Sequence, residues 1–84
     1  MERNKRIKLL GTLAPYVPKK DIAKIFGQGA TTSFYDILKT EGIPRWRDSV
    51  ADRKAKMFEE WKENEKRLKE QSINEAKRIL NGNR

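Results

Sequence analysis

The chain has 84 residues, with 20 Lys/Arg, 12 Asp/Glu, no cysteine and no histidine, and its net charge is +8. A chain of this length builds one domain at most, and its thin core can be reinforced neither by disulfides nor by a Cys/His zinc site. No apolar run approaches the ~20 residues of a membrane span and no signal peptide is recognisable, so we expect a soluble, cytoplasmic protein.

Hydrophobic spacing predicts an all-α fold without strands, beginning with a helix from Arg3 to Ala14 that Pro15 ends. Its inner face comprises Ile7, Leu9, Leu10, Leu13 and Ala14. Pro18 suits the first turn of a second helix, and Gly27 is a natural residue to end it. The residues of this helix that we expect to be buried are Ile22, Ala23, Ile25 and Phe26.

A third helix is predicted to begin near residues 31–33 and to end at about Glu41, before Gly42. Helical periodicity divides it into two faces. The inner face comprises Phe34, Ile37, Leu38 and Glu41, and the outer face Thr32, Tyr35, Asp36 and Lys39.

After the break at Gly42-Ile43-Pro44, no proline or glycine occurs between about Asp48 and Leu80, and charges of both signs alternate. This pattern predicts one long helix. Its broken apolar stripe needs a partner surface, and we expect a homo-oligomer, with a dimer favoured. A helix exposed to solvent, or docked on another protein, is the alternative. The candidate oligomerisation residues are Phe58, Trp61, Leu68, Ile73 and Ile79.

The second and third helices have the form of a helix-turn-helix, the motif whose second helix enters the DNA major groove. Ala23 is small enough for a helix crossing, and Gly27 can take the left-handed conformation that reverses the chain. Positive charge also concentrates here: residues 1–47 carry ten Lys/Arg and four Asp/Glu, a net of +6, and residues 48–84 carry a net of +2. This excess favours a surface that faces phosphates.

The segment Ile25-Phe26-Gly27-Gln28-Gly29-Ala30-Thr31-Thr32-Ser33-Phe34-Tyr35 resembles the C-terminal DNA-binding segment of the serine recombinases, the resolvases and DNA invertases. The resemblance covers roughly residues 18–40. It implies that Thr31, Thr32, Ser33 and Tyr35 face the groove, although one extra residue lies between Gly27 and the tyrosine. The chain before residue 18 is too short for the recombinase catalytic domain, so recombination is not implied.

Basic residues flank the motif. Lys19 and Lys20 begin the second helix and are candidates for phosphate contacts, whereas Arg45 and Arg47 can reach a minor groove if the chain around Trp46 is extended. For Trp46 itself we favour a role in the seam between the bundle and the long helix. The complete set of candidate DNA-binding residues is Lys19, Lys20, Gln28, Thr31, Thr32, Ser33, Tyr35, Asp36, Lys39, Arg45 and Arg47.

These patterns predict a DNA-binding domain at residues 1–47 and a charged oligomerisation element at residues 48–84. The expected partner is double-stranded DNA, and the expected role is that of a nucleoid-associated transcriptional regulator of a bacterium, phage or plasmid. The alternatives are a nucleoprotein component, such as a terminase small subunit or a partition or replication-initiation protein, and an adaptor that binds only protein. We expect no enzyme activity, cofactor, metal, membrane or small-molecule ligand.

Overall fold

A computed structural model describes residues 2–81 of the chain. These residues form helices and no strands, which confirms the predicted all-α class. None of the helices is both long enough and apolar enough to cross a membrane. The α-helices are α1 (Arg3–Leu13), α2 (Lys19–Phe26), α3 (Phe34–Glu41), α4 (Trp46–Met57) and α5 (Trp61–Asn81), and short 3-10 helices occupy Gln28–Thr31 and Phe58–Glu60.

Helix α1 lies at the centre of the core, as its apolar spacing predicts. Leu9, Leu10, Leu13 and Ala14 are fully buried, and Ile7 packs against the same cluster. The helix ends at Leu13, and the amide of Ala14 still donates to the carbonyl of Leu10. Because the proline at position 15 has no N–H to continue this ladder, the helix stops where the sequence predicts.

Helix α5 covers α1 and completes its core. Ala76 is fully buried in the cluster that contains the α1 leucines, and Ile73 and Leu80 pack against that cluster. Nearer the start of α5, Lys69 Nζ lies 2.8 Å from Asp21 Oδ2 on α2. The C-terminal part of the chain therefore packs on α1 and contacts α2, so it contributes to the core of the bundle.

Helices α2 and α3 are separated by residues 27–33, which contain a 3-10 helix rather than a tight turn. Gly27 adopts φ 93° and ψ 162°, a conformation that residues other than glycine rarely adopt. Its φ is positive, but its ψ lies outside the left-handed helical region, so the predicted left-handed conformation is not the one formed. Phe34, Ile37 and Leu38 are buried on α3, as their spacing predicts.

Two burial predictions in this region are wrong. Ile25 is 43% exposed, because α2 packs against the 3-10 helix, which contributes the fully buried Ala30, and the Ile25 side of α2 remains open. Glu41 is exposed at the end of α3, where its carboxylate keeps its hydration instead of joining the inner face.

The predicted long C-terminal helix is present as α5, but the prediction that it begins at about residue 48 is wrong, because Trp46–Met57 forms a separate helix, α4. The chain reverses at Phe58, which adopts φ 53° and ψ −120°, and α5 folds back on α4. Arg53 on α4 joins the two helices, because its guanidinium forms two hydrogen bonds with Glu65, one of them 2.8 Å long, from Nη2 to Oε1. Nη2 also donates to the carbonyl of Pro15 at 3.1 Å. Local sequence favours a straight helix, but these tertiary contacts stabilise the reversed chain.

Candidate functional site

The first turns of α2, α3 and α4 meet around one depression of the surface. It is lined by Pro18, Lys19, Phe34, Tyr35, Arg45, Trp46 and Arg47. We call this depression the N-terminal cleft, because Pro18 and Arg45 are N-caps and the other lining residues belong to the first two positions of their helices.

Within the described chain, no side chain caps the N-terminus of α2, α3 or α4. The first amides of each helix have no carbonyl partner inside the helix, and the helix dipole places partial positive charge there. Lys19, Arg45 and Arg47 add side-chain charge at the same place. The N-terminal cleft is therefore suited to anions.

Tyr35 stands at the edge of this cleft with its side chain held in place but 57% exposed. Its ring meets that of Phe34 edge to face, with centroids 5.1 Å apart, and Lys19 Nζ lies 4.6 Å from its centroid. The same ammonium lies 5.4 Å from the centroid of the Phe34 ring. Lys19, Phe34 and Tyr35 thus contact one another, and these contacts fix the orientation of the exposed Tyr35 side chain.

The two arginines of the cleft differ in their surroundings. Arg45 Nε lies 3.3 Å from Asp48 Oδ2, an exposed pair one turn apart that neutralises part of its charge. Arg47 makes no ion pair with any described residue. Of these two cations, Arg47 is the one whose full charge is available to a ligand.

A second depression adjoins the cleft along α2, and Lys19 belongs to both. It is lined by Lys19, Lys20, Ala23, Lys24, Gln28 and Thr31, and we call it the α2 groove. Lys24 was not among the sequence candidates. It could have been found from its place one turn after Lys20, because residues four apart share a helix face.

The remaining candidates are spread around α3. Thr32, Asp36 and Lys39 are exposed, and Asp36 Oδ2 lies 3.4 Å from Arg3 Nη2 on α1. Ser33 is the exposed N-cap residue of α3 with φ 58°. Thr31 is only 8% exposed, and its hydroxyl donates to the carbonyl of Gln28 at 3.0 Å, within the 3-10 helix before α3.

Arg6 belongs to the basic start of the chain, and the sequence does not indicate the contact that it makes in the fold. The basic start of the chain forms the first turns of α1, and Arg6 Nε donates to the carbonyl of Gly29 at 3.3 Å. This contact ties α1 to the 3-10 helix between α2 and α3. No sequence pattern links positions so far apart, so only the fold brings them together.

Trp46 lies half-buried between two surfaces. It lines both the N-terminal cleft and a second depression, whose lining includes Tyr16, Val50 and Trp61. This position matches the seam that the sequence analysis favours for it. Trp46 thereby connects the geometry of the cleft to that of the α4–α5 hairpin.

The candidate oligomerisation residues are exposed to very different degrees. Phe58 is 76% exposed, and Trp61 is half-buried with Lys54 Nζ 4.9 Å from its ring centroid. Ile73 packs on the protein's own core, whereas Leu68 and Ile79 are half-buried.

Carboxylates do not gather into a metal site: the described residues contain no group of three or more acidic, histidine or cysteine side chains that could hold an ion.

Comparison with protein families, with curated proteins and with solved structures found no match to this chain.

Proposed function

We propose that this protein binds double-stranded DNA through the N-terminal cleft and the exposed face of α3, as a small transcriptional regulator of a bacterium, phage or plasmid. The observation that carries the proposal is the convergence of Lys19, Arg45 and Arg47 with three uncapped helix N-termini beside the exposed Tyr35. Helix N-termini and cationic side chains are the groups that proteins use to hold phosphates.

The arrangement also suits separate roles for the cationic side chains and for the exposed residues of α3. The cleft and the adjoining α2 groove together present five Lys/Arg side chains, which suit a phosphate backbone. Beside them, Thr32 and Tyr35 on the α3 side are exposed and have polar groups that can contact base edges. The cations would position the protein on the phosphate backbone, and the exposed face of α3 would provide the sequence preference.

Self-association is the second part of the proposal. Phe58 and Trp61 leave apolar surface at the α4–α5 reversal that the described chain does not cover, and a dimer would present two N-terminal clefts to related half-sites. A nucleoprotein role in packaging, partition or replication initiation would use the same surfaces, and binding alone does not separate it from regulation.

A salt titration of binding to a fluorescently labelled duplex tests the proposal. Affinity should fall linearly in log–log form, with a slope of about −0.9 for each phosphate contacted. The substitution Arg47→Ala should reduce the magnitude of that slope by about 1 and weaken binding to all sequences alike.

The matched control is Arg67→Ala, which removes the same charge from an exposed position on α5. If both variants lose affinity equally, net charge rather than the cleft is responsible. No affinity for duplex DNA even at low salt would contradict the proposal and favour the adaptor that binds only protein.

A further inference from the structure

The reversal between α4 and α5 is held in a backbone conformation that suits glycine and not phenylalanine. Phe58 has φ 53° and ψ −120°, the combination found at the first central position of type II′ turns. In that region a β-carbon crowds the backbone, so non-glycine residues there are strained. The side chain itself is 76% exposed, and packing of the ring therefore does not compensate for the strain.

The sequence around Phe58 favours a different conformation. No glycine or proline occurs from Arg45 to Asn81, and the residues after Phe58 are two glutamates, which are good helix formers. If Phe58–Glu60 became helical, α4 and α5 would join into one helix and Phe58 would lose its strain. That helix would be roughly 54 Å long at 1.5 Å per residue, longer than the 39 Å of the folded molecule.

A protomer straightened in this way would lose the contacts that α5 makes with the rest of its chain. Ala76 would leave the α1 core, Lys69 would leave Asp21, and Glu65 would leave Arg53. Each of these contacts depends on α5 and a surface of the remaining fold. A second copy of the chain carries the same α5 and can restore all of them.

We propose that the chain dimerises by exchanging α5 between two copies, with Phe58–Glu60 as the hinge. In the exchanged dimer, α5 of each protomer packs on α1 of its partner, and the contacts of the closed protomer are kept while the strain at two Phe58 residues is released. Short strained hinges are the connections at which such exchange occurs. The inference rests on the self-association in the proposed function and is independent of DNA binding.

Zero-length cross-linking of isotopically mixed protein tests the exchange. Unlabelled and ¹⁵N-labelled chains are unfolded together, refolded, and the dimer is isolated by size exclusion. A carbodiimide then joins the Lys69 amine to the Asp21 carboxylate, which lie 2.8 Å apart. Exchange predicts cross-linked peptide pairs with one light and one heavy member. Pairs of a single isotope only would overturn it.

Two substitutions at the hinge separate strain from surface packing. Phe58→Gly removes the strain of the closed turn and weakens the straight helix, so the dimer dissociation constant should rise at least about tenfold. Phe58→Ala removes the ring but keeps the β-carbon and the strain, so the dimer should persist. Sedimentation measures both constants. If Phe58→Ala weakens the dimer as much as Phe58→Gly does, loss of the ring and not loss of the strain is responsible, and the exchange is excluded.

Each negative result excludes a different part of the proposals. A dimer with only single-isotope cross-links excludes the exchange but keeps the proposed self-association. A chain that stays monomeric at high concentration excludes both, whereas the salt titration of DNA binding decides the cleft proposal independently.

Discussion

At the scale of single residues, Tyr35 shows how a side chain can be fixed and yet remain available. Phe34 is buried in the core and contacts the Tyr35 ring from one direction, while the ammonium of Lys19 approaches the same ring. Exposed rings that are held by neighbours lose little conformational freedom when they bind a ligand. Tyr35 is therefore the residue of α3 that we expect to matter most for sequence preference.

We predict that Tyr35→Ala weakens binding to a duplex obtained by selection from random DNA by about 1–3 kcal/mol more than binding to bulk DNA. The reason is that loss of a base contact affects only the sequence that provides it. Tyr35→Phe is the matched control, because it keeps the ring and the contact with Lys19 but removes the hydroxyl. Equal losses on both DNAs would mean that Tyr35 contacts only the phosphate backbone.

At the scale of the elements, the connection from α2 to α3 depends on one of its two glycines. Gly27 has φ 93°, and a β-carbon there would meet no atom within 4 Å. The cost of a side chain at Gly27 is therefore backbone strain and not a clash. Gly29 also has open space where a β-carbon would lie, but it belongs to the 3-10 helix and has no positive φ.

We predict that Gly27→Ala lowers the free energy of unfolding by about 1–2 kcal/mol. The matched variant Gly29→Ala should leave it unchanged or raise it by up to about 1 kcal/mol, because alanine restricts the unfolded chain. Urea unfolding followed by circular dichroism measures both. Equal effects of the two substitutions would show that positive φ is not what makes Gly27 necessary.

At the scale of the whole molecule, Arg53 joins three parts of the fold. It is hydrogen-bonded to Glu65 of α5 and to the carbonyl of Pro15 after α1, and its guanidinium lies 5.1 Å from the ring centroid of Tyr16. The Arg53 and Glu65 side chains are only 15% and 14% exposed. Removing one partner of such a pair leaves the other poorly solvated.

We predict that Arg53→Met lowers the free energy of unfolding by about 2–3 kcal/mol, somewhat less than for a fully buried pair because some solvent still reaches it. The double variant Arg53→Met/Glu65→Leu should recover much of this loss, since no charge is left without a partner. Urea unfolding measures both variants. A double variant as unstable as the single one would contradict this explanation.

The pH dependence of the stabilisation by the Arg53–Glu65 pair follows from the direction in which the pKa of Arg53 is shifted. The hydrogen bond with Glu65 raises the pKa of Arg53, and burial only partly opposes it. A raised pKa in the folded state means that the stabilisation is fully present below the unfolded-state pKa and is lost only as pH rises through the folded-state pKa. The difference in stability between the natural chain and Arg53→Met should therefore not change between about pH 7 and 9.

Local sequence determined the ends of the first three helices and most of their buried residues. Pro15 stops α1, Gly27 separates α2 from the next turn, and the spacing of Phe34, Ile37 and Leu38 defines the inner face of α3. These outcomes follow from short-range chemistry: a missing N–H, a permitted positive φ and a helical period. The same reasoning indicated Lys19, Tyr35, Arg45 and Arg47 as candidates, although not that they line one cleft.

Only the tertiary structure decided where α4 ends. No glycine or proline near Phe58 interrupts the helix locally, yet the chain reverses there because burying Ala76 against α1 and pairing Arg53 with Glu65 require α5 to return. The convergence of three helix N-termini at the cleft has the same origin, since the positions of whole helices depend on contacts between residues far apart in the chain. Sequence by itself determined which segments are helical, and long-range packing determined how those helices combine into a site.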